Sequence, residues 1–184
     1  IHTPSGRDYA LRHFNADINA ETLFGPYNID AHYRFQDRQL NATAKIGRYT
    51  GEQTSLPLKI TLNAKGSDTG LDYSGVLDLG KRLPVLQGEL NLNASKLQNM
   101  VELAPFKGEI PQVLSQASLR LKTMVTAESS QTRLENIRLN LGQVQHNGHF
   151  NVHYNDPEAV RIEAKLLPER DPDKTLPPAK MYWR

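Results

Sequence analysis

The sequence predicts a mainly all-β fold, a meandering antiparallel sheet of about ten strands with one short helix. Three observations carry this prediction. Apolar and polar residues alternate with period two along most of the chain, as strands with a single apolar face require. Most successive strands start roughly 12 to 17 residues apart, too close for a crossover helix, so sequence neighbours must pair antiparallel. Only the stretch between Ala94 and Ala117 breaks the rhythm.

In the first strand Tyr9 and Leu11 have one parity and Phe14, Ala16 and Ile18 the other, which predicts a β-bulge near Arg12 and His13. Tyr27, Ile29, Ala31, Tyr33 and Phe35 form the next apolar set, followed by Leu40, Ala42, Ala44 and Ile46. Leu56, Leu58, Ile60 and Leu62 then alternate with Pro57, Lys59, Thr61 and Asn63. After the turn signal Gly66-Ser67-Asp68, Leu71, Tyr73, Gly75, Leu77 and Leu79 share a parity, and so do Leu86, Gly88, Leu90, Leu92 and Ala94. The later sets are Ala117 to Val125, Ile137 to Leu141, Phe150 to Tyr154, and Val160 to Leu166.

Within the interruption, Ser95 and Gln98 fit a capping box, and Leu97, Met100, Val101 and Ala104 recur at helical spacing before Pro105. A short helix is expected over residues 96–103, and Pro111 can open a further helical turn through Leu114. Four prolines between Pro168 and Pro178 mark a tail that leaves the sheet. The expected organisation is one β-rich domain over residues 1–167 and a proline-rich linker over residues 168–184.

One short helix cannot cover the apolar faces of ten strands. The sheet must fold into a sandwich, close into a barrel, or stay an open trough whose apolar wall something else fills. Shared parity assigns Leu58, Ile60, Leu62, Leu77, Leu79, Leu90, Leu92, Leu119, Leu121, Leu139, Leu141 and Ile162 to that wall. It is rich in leucine, with no tryptophan in any strand. Gly75 and Gly88 stand where a packed core would want bulk. They either smooth a wall for acyl chains or relieve twist at a bend.

Composition narrows the function classes. With 38% hydrophobic and 23% charged residues the chain is neither disordered nor collagenous, and a net charge of +2 without basic blocks gives no sign of nucleic acid. It has no cysteine, so thiol catalysis, thiolate metal sites and disulfides are excluded. No G-x-S-x-G elbow, Walker loop, dinucleotide fingerprint or H-E-x-x-H run occurs, so no enzyme and no cofactor are expected. His149 and His153 sit roughly 13 Å apart on one strand face, with His146 of opposite parity, which argues against a shared metal ion. Asp68 and Asp72 read as solvated turn and surface residues. No run approaches the roughly 18 apolar residues of a membrane span, so any anchor is expected to lie outside this chain.

The succession Phe24-Gly25-Pro26-Tyr27, the stretch Leu56-Pro57-Leu58-Lys59-Ile60, the segment from Gly88 to Leu97, and Leu134 to Gly148 with Gly142 and Gly148 resemble AsmA-like proteins. The likeness spans roughly residues 9–166 and is one of strand grammar and turn placement. It implies a periplasmic protein of the bacterial envelope, held to the inner membrane by an anchor. Its taco-shaped sheet would carry phospholipid in a hydrophobic groove and serve outer-membrane homeostasis. Ten strands spaced about 4.8 Å apart span only about 48 Å, so the resemblance implies one stretch of a longer groove. The other function the pattern allows is a protein-binding or scaffold β-sandwich of the cell envelope, docking an envelope protein by a sheet edge or its polar face.

Overall fold

The computed structural model describes residues 11–35, 38–101, 103, 110–156 and 159–169. Alternation produces ten strands: β1 (Leu11–Ala20), β2 (Tyr27–Phe35), β3 (Arg38–Ile46), β4 (Ser55–Ala64), β5 (Gly70–Asp78), β6 (Val85–Ala94), β7 (Leu119–Ala127), β8 (Gln131–Leu141), β9 (Val144–Asp156) and β10 (Ala159–Pro168). Two short helices, α1 (Leu97–Val101) and α2 (Gln112–Ser115), fill the gap between β6 and β7. All ten strands form one antiparallel sheet in the order β1 to β10, each hydrogen-bonded to its sequence neighbours. The architecture is thus a single open sheet, neither a barrel nor two stacked sheets.

Register carries each apolar set onto the same face. One row across the sheet reads Ile18, Ile29, Ala44, Ile60, Tyr73, Leu90, with Thr123 facing Leu90 from β7. A second reads Ala31, Ala42, Leu62, Leu71, Leu92, Leu121, Leu139. Along β2 this face is buried or half-buried while the alternate residues are exposed. Half-burial of a leucine stabilises by about 1 kcal/mol, so the sheet rests on many modest contributions.

Bulges in β1 and β8 preserve this sorting, and a further register shift lies between β9 and β10 at Ala159/Arg161. In β1 the register shifts between Arg12 and Asn15, with His13 in the left-handed region at φ 51°. The extra residue sets Leu11 opposite Phe35 and Ala16 opposite Ala31, so Ala16 and Ile18 align with the apolar set of β2. In β8 the shift lies between Leu134 and Ile137, around Asn136 at φ 54°. A bulge frees backbone groups from the ladder. Here the hydroxyl of Thr123, 2% exposed, donates to the Glu135 carbonyl at 2.8 Å, so that acceptor is not left bare.

Tyr73 lies at the centre of the apolar face, 4% exposed, beside the cross-strand pair Gly75 and Gly88. A Cβ on Gly75 would lie 2.6 Å from the Gly88 Cα and closer still to the Tyr73 hydroxyl and the Gln87 carbonyl. The glycines therefore make room for the tyrosine ring, which covers backbone that two small residues leave bare. Room for the tyrosine is a role of these glycines besides the two that the sequence suggests.

The helical segment is shorter than the predicted residues 96–103, since α1 ends at Val101 with Leu103 in a following turn. Ala104, Pro105 and Gly108 lie outside the described residues. The α1 start is tied to the sheet by the Leu97 N–H donating to the Ala117 carbonyl at 2.7 Å. Pro111 precedes α2 with φ −50° and ψ 134°, and its carbonyl accepts from the Leu114 N–H at 2.8 Å, the expected turn. Tyr9 and most of the predicted linker, residues 170–184, also lie outside the described residues.

Crowding at the glycine pair sets the first expectation. Gly75→Ala should cost about 1–3 kcal/mol in denaturant unfolding, the range for overpacking a tight site. The Tyr73 hydroxyl is buried and has no hydrogen-bond partner, so Tyr73→Phe should leave the midpoint unchanged or raise it. Burial also pushes the Tyr73 phenol above its ordinary value. Its contribution is full below the unfolded value of about 10 and is lost as pH rises through the folded value. An alkaline unfolding series should therefore show a shallower loss for Tyr73→Phe than for the parent.

Candidate ligand-binding face

The predicted wall residues are positioned by consecutive strands of the sheet. Leu58, Ile60 and Leu62 of β4 face Gly75, Tyr73 and Leu71 of β5, and Leu77 faces Leu56. Leu90 and Leu92 of β6 meet Thr123 and Leu121 of β7. Leu119 and Leu121 in turn meet Leu141 and Leu139 of β8, and Ile162 of β10 faces Val152 of β9. Leu79 lies one residue beyond β5, its N–H donating to the Thr54 carbonyl at 2.6 Å. The Asp78 carboxylate accepts the Gly80 N–H at 2.9 Å, a turn that ends β5 before Leu79, whose side chain is 40% exposed.

Several residues of the same face were absent from the predicted set. Tyr73 and Leu71 share the parity of Leu77, and Leu134, Phe150 and Val125 align in one row. His146 also lies on this face, between Leu139 of β8 and Pro168 of β10. Its Nδ1 is buried without a partner. His149 and His153 belong to the polar face, where the His153 ring is 2.9 Å from the Asn151 amide. Among the described residues no cluster of three metal-ligating side chains occurs.

Burial falls towards the two ends of the sheet. Tyr73 and Thr123 at the centre are 4% and 2% exposed, whereas Ile18 on β1 is 68% and Ile162 on β10 is 44% exposed. A face covered by a second sheet would be dry in the middle of every strand. Here most wall leucines are only half-buried by their neighbours.

One part of the face is roofed. Met100 of α1 and Leu103 overhang Leu40, Ala64 and Leu62, with Leu71 and Leu92 beside them, and enclose a cavity of about 180 Å³. Leu97, Met100 and Val101 are half-buried, and burial against the sheet is what can hold so short a helix. Thr69, 6% exposed, also lines this cavity, and its hydroxyl has no hydrogen-bond partner. The Thr69 backbone is satisfied, its N–H by the Ser67 hydroxyl and its carbonyl by the Ala64 N–H.

The chemistry of this face is therefore that of an apolar surface with a few buried polar atoms. The carboxylates and amines sit on the other face, where Lys122 pairs with Glu89 at 2.8 Å and Thr61 donates to Asp72 at 2.9 Å. The Lys122 hydrogen bond, aided by Asn91, holds the Glu89 carboxyl below its ordinary value.

No protein-family model matches this sequence, and no curated protein or solved structure matches it either.

The orphan hydroxyl under α1 gives a direct test. Thr69→Val removes an unsatisfied donor from an apolar cavity and should stabilise the protein by about 1 kcal/mol, read as a raised unfolding midpoint. Met100→Ala should cost about 1 kcal/mol, roughly half the transfer energy of a fully buried methionine.

Proposed function

We propose that the apolar face of this sheet binds acyl chains, and that the protein is a groove module for phospholipid or another acyl lipid. The observation that supports this most directly is a continuous leucine-rich face on a single open sheet that, among the described residues, no second sheet covers. An aliphatic surface of this extent is left in contact with water unless a ligand or partner takes its place. Wall residues such as Leu58, Leu90, Leu121 and Leu139 would line the chain path, and Met100 and Leu103 would roof part of it. The AsmA-like strand grammar accords with the same reading. It extends the proposal to a periplasmic module of envelope lipid transport, reaching the inner membrane through an anchor outside this sequence.

A second reading rests on a different observation. Strands β1 and β10 are not paired with each other, and every described side chain of β1 from Arg12 to Ala20 is exposed. Such edges suit strand addition, so a scaffold that docks an envelope protein is the alternative.

Lipid extraction and native mass spectrometry of the purified protein separate these. Co-purified phospholipid in the parent is the expected result. Leu121→Asp places a charge on the wall where an open sheet lets it reach water, so the variant should keep its β circular dichroism signal and lose lipid. A lipid-free parent, or a Leu121→Asp protein that is folded and still fully loaded, would overturn the groove reading.

A further inference from the structure

The polar face carries cross-strand pairs of like charge, among them Arg12 with Arg34, Lys122 with Arg138 and Lys45 with Lys59, and the last of these borders a hollow. Lys45 of β3 and Lys59 of β4 stand directly opposite each other in the antiparallel register. Like charges so placed destabilise a strand pair, and both side chains are exposed with no carboxylate among the described residues close enough to form an ion pair. Among the described residues three other cations are ion-paired. Lys122 pairs with Glu89, Arg48 with Glu21 and Arg161 with Glu163.

The two lysines border a cavity of about 340 Å³, together with Asn28, Ser74 and Pro57. Lys45, Lys59, Asn28, Ser74 and Pro57 have the parity of the polar face, and Tyr27, Ile46 and Leu58 of the apolar parity also border the hollow. The cavity reaches Gly75, whose apolar side is occupied by Tyr73, and Tyr73 does not line it. Asp30 and Asp72, the acids on strand positions diagonal to the lysines, do not line it either, and Asp72 is engaged by Thr61. The site thus offers two unneutralised ammonium groups, an amide and a hydroxyl around a partly apolar hollow.

We infer that this hollow is an anion site and that it takes a phosphate-bearing small molecule or headgroup between Lys45 and Lys59. Each ammonium supplies a charge-assisted hydrogen bond to a phosphate oxygen, and the bound anion removes the repulsion between the two strands. Asn28 and Ser74 have donors for further oxygens. The volume falls within the range of small-ligand pockets. The two lysines have the parity opposite to the proposed acyl wall, with Leu58 bordering both, and the anion site stands whether or not that wall carries lipid.

Calorimetric titration with sn-glycerol 3-phosphate at low salt tests it, alongside flotation with vesicles of neutral phosphatidylcholine with and without phosphatidylglycerol. The expected result is saturable binding of at least one probe that weakens at least tenfold in Lys45→Gln and in Lys59→Gln, and falls as salt rises. Lys122→Gln, on the same face but outside the hollow, should bind as the parent does. Lysine-dependent binding of the soluble probe identifies a free phosphate ligand, and lysine-dependent flotation only with phosphatidylglycerol identifies a headgroup. Both glutamine variants should melt no lower than the parent, since each relieves a like-charge pair. Absence of saturable binding of either probe, or an equal loss in Lys122→Gln, would overturn the site.

Discussion

Register is the constraint on which this structure depends. In an antiparallel sheet a slip of one residue moves every apolar side chain of a strand to the opposite face. Ten strands in sequence order give nine interfaces at which that error could enter. The ladder is kept in phase by aligned rows such as Leu62, Leu71, Leu92 and Leu121. In β1 and in β8 a left-handed residue, His13 and Asn136, absorbs the extra residue and the apolar set resumes on the same side, and a further shift lies between β9 and β10. Everything said about a wall follows from that preserved phase.

The strand plan was legible because the sheet is one-sided. A strand with one apolar face writes its pairing parity into the sequence, and short connections leave antiparallel neighbours as the sole economical pairing. Even the β1 bulge could be read from the parity change between Leu11 and Phe14. The β8 bulge left the same kind of signal, Leu134 on an even position and Ile137 on an odd one, but two residues of alternation are too few to stand out. Tyr73 over Gly75 and Gly88 could not be read at all. Sequence spacing shows a glycine on the apolar face but not which ring lies above it, since that depends on side-chain torsions and the cross-strand partner.

The two faces do different physical work. On the apolar face, burial rises from β1 to the centre, so stability is concentrated around Tyr73, Val125 and Ile137 while the flanks stay wet. On the polar face, order comes from short pairings such as His32 with Asn41 at 2.8 Å and Lys122 with Glu89 at 2.8 Å. Such exposed contacts add little each, and they mainly fix which side chains project where. The proposed acyl groove draws on the first kind of surface and the proposed anion site on the second. Length was legible for neither, because a sheet that grows by strands has no intrinsic end.

That last property follows from the nearest-neighbour order of the strands. Among the described residues each strand pairs with the strands before and after it, and α1 alone reaches over to β3 and β4, so the sheet behaves as a nearly one-dimensional array whose stability is close to a sum of local terms. Contacts between sequence neighbours close small loops, which favours folding that starts at any well-packed hairpin and spreads outward. A gene could gain or lose one antiparallel pair at either flank and leave the remaining register untouched. Evolution of such a chain would then adjust reach by counting hairpins, in increments of about 10 Å, without redesigning an interior.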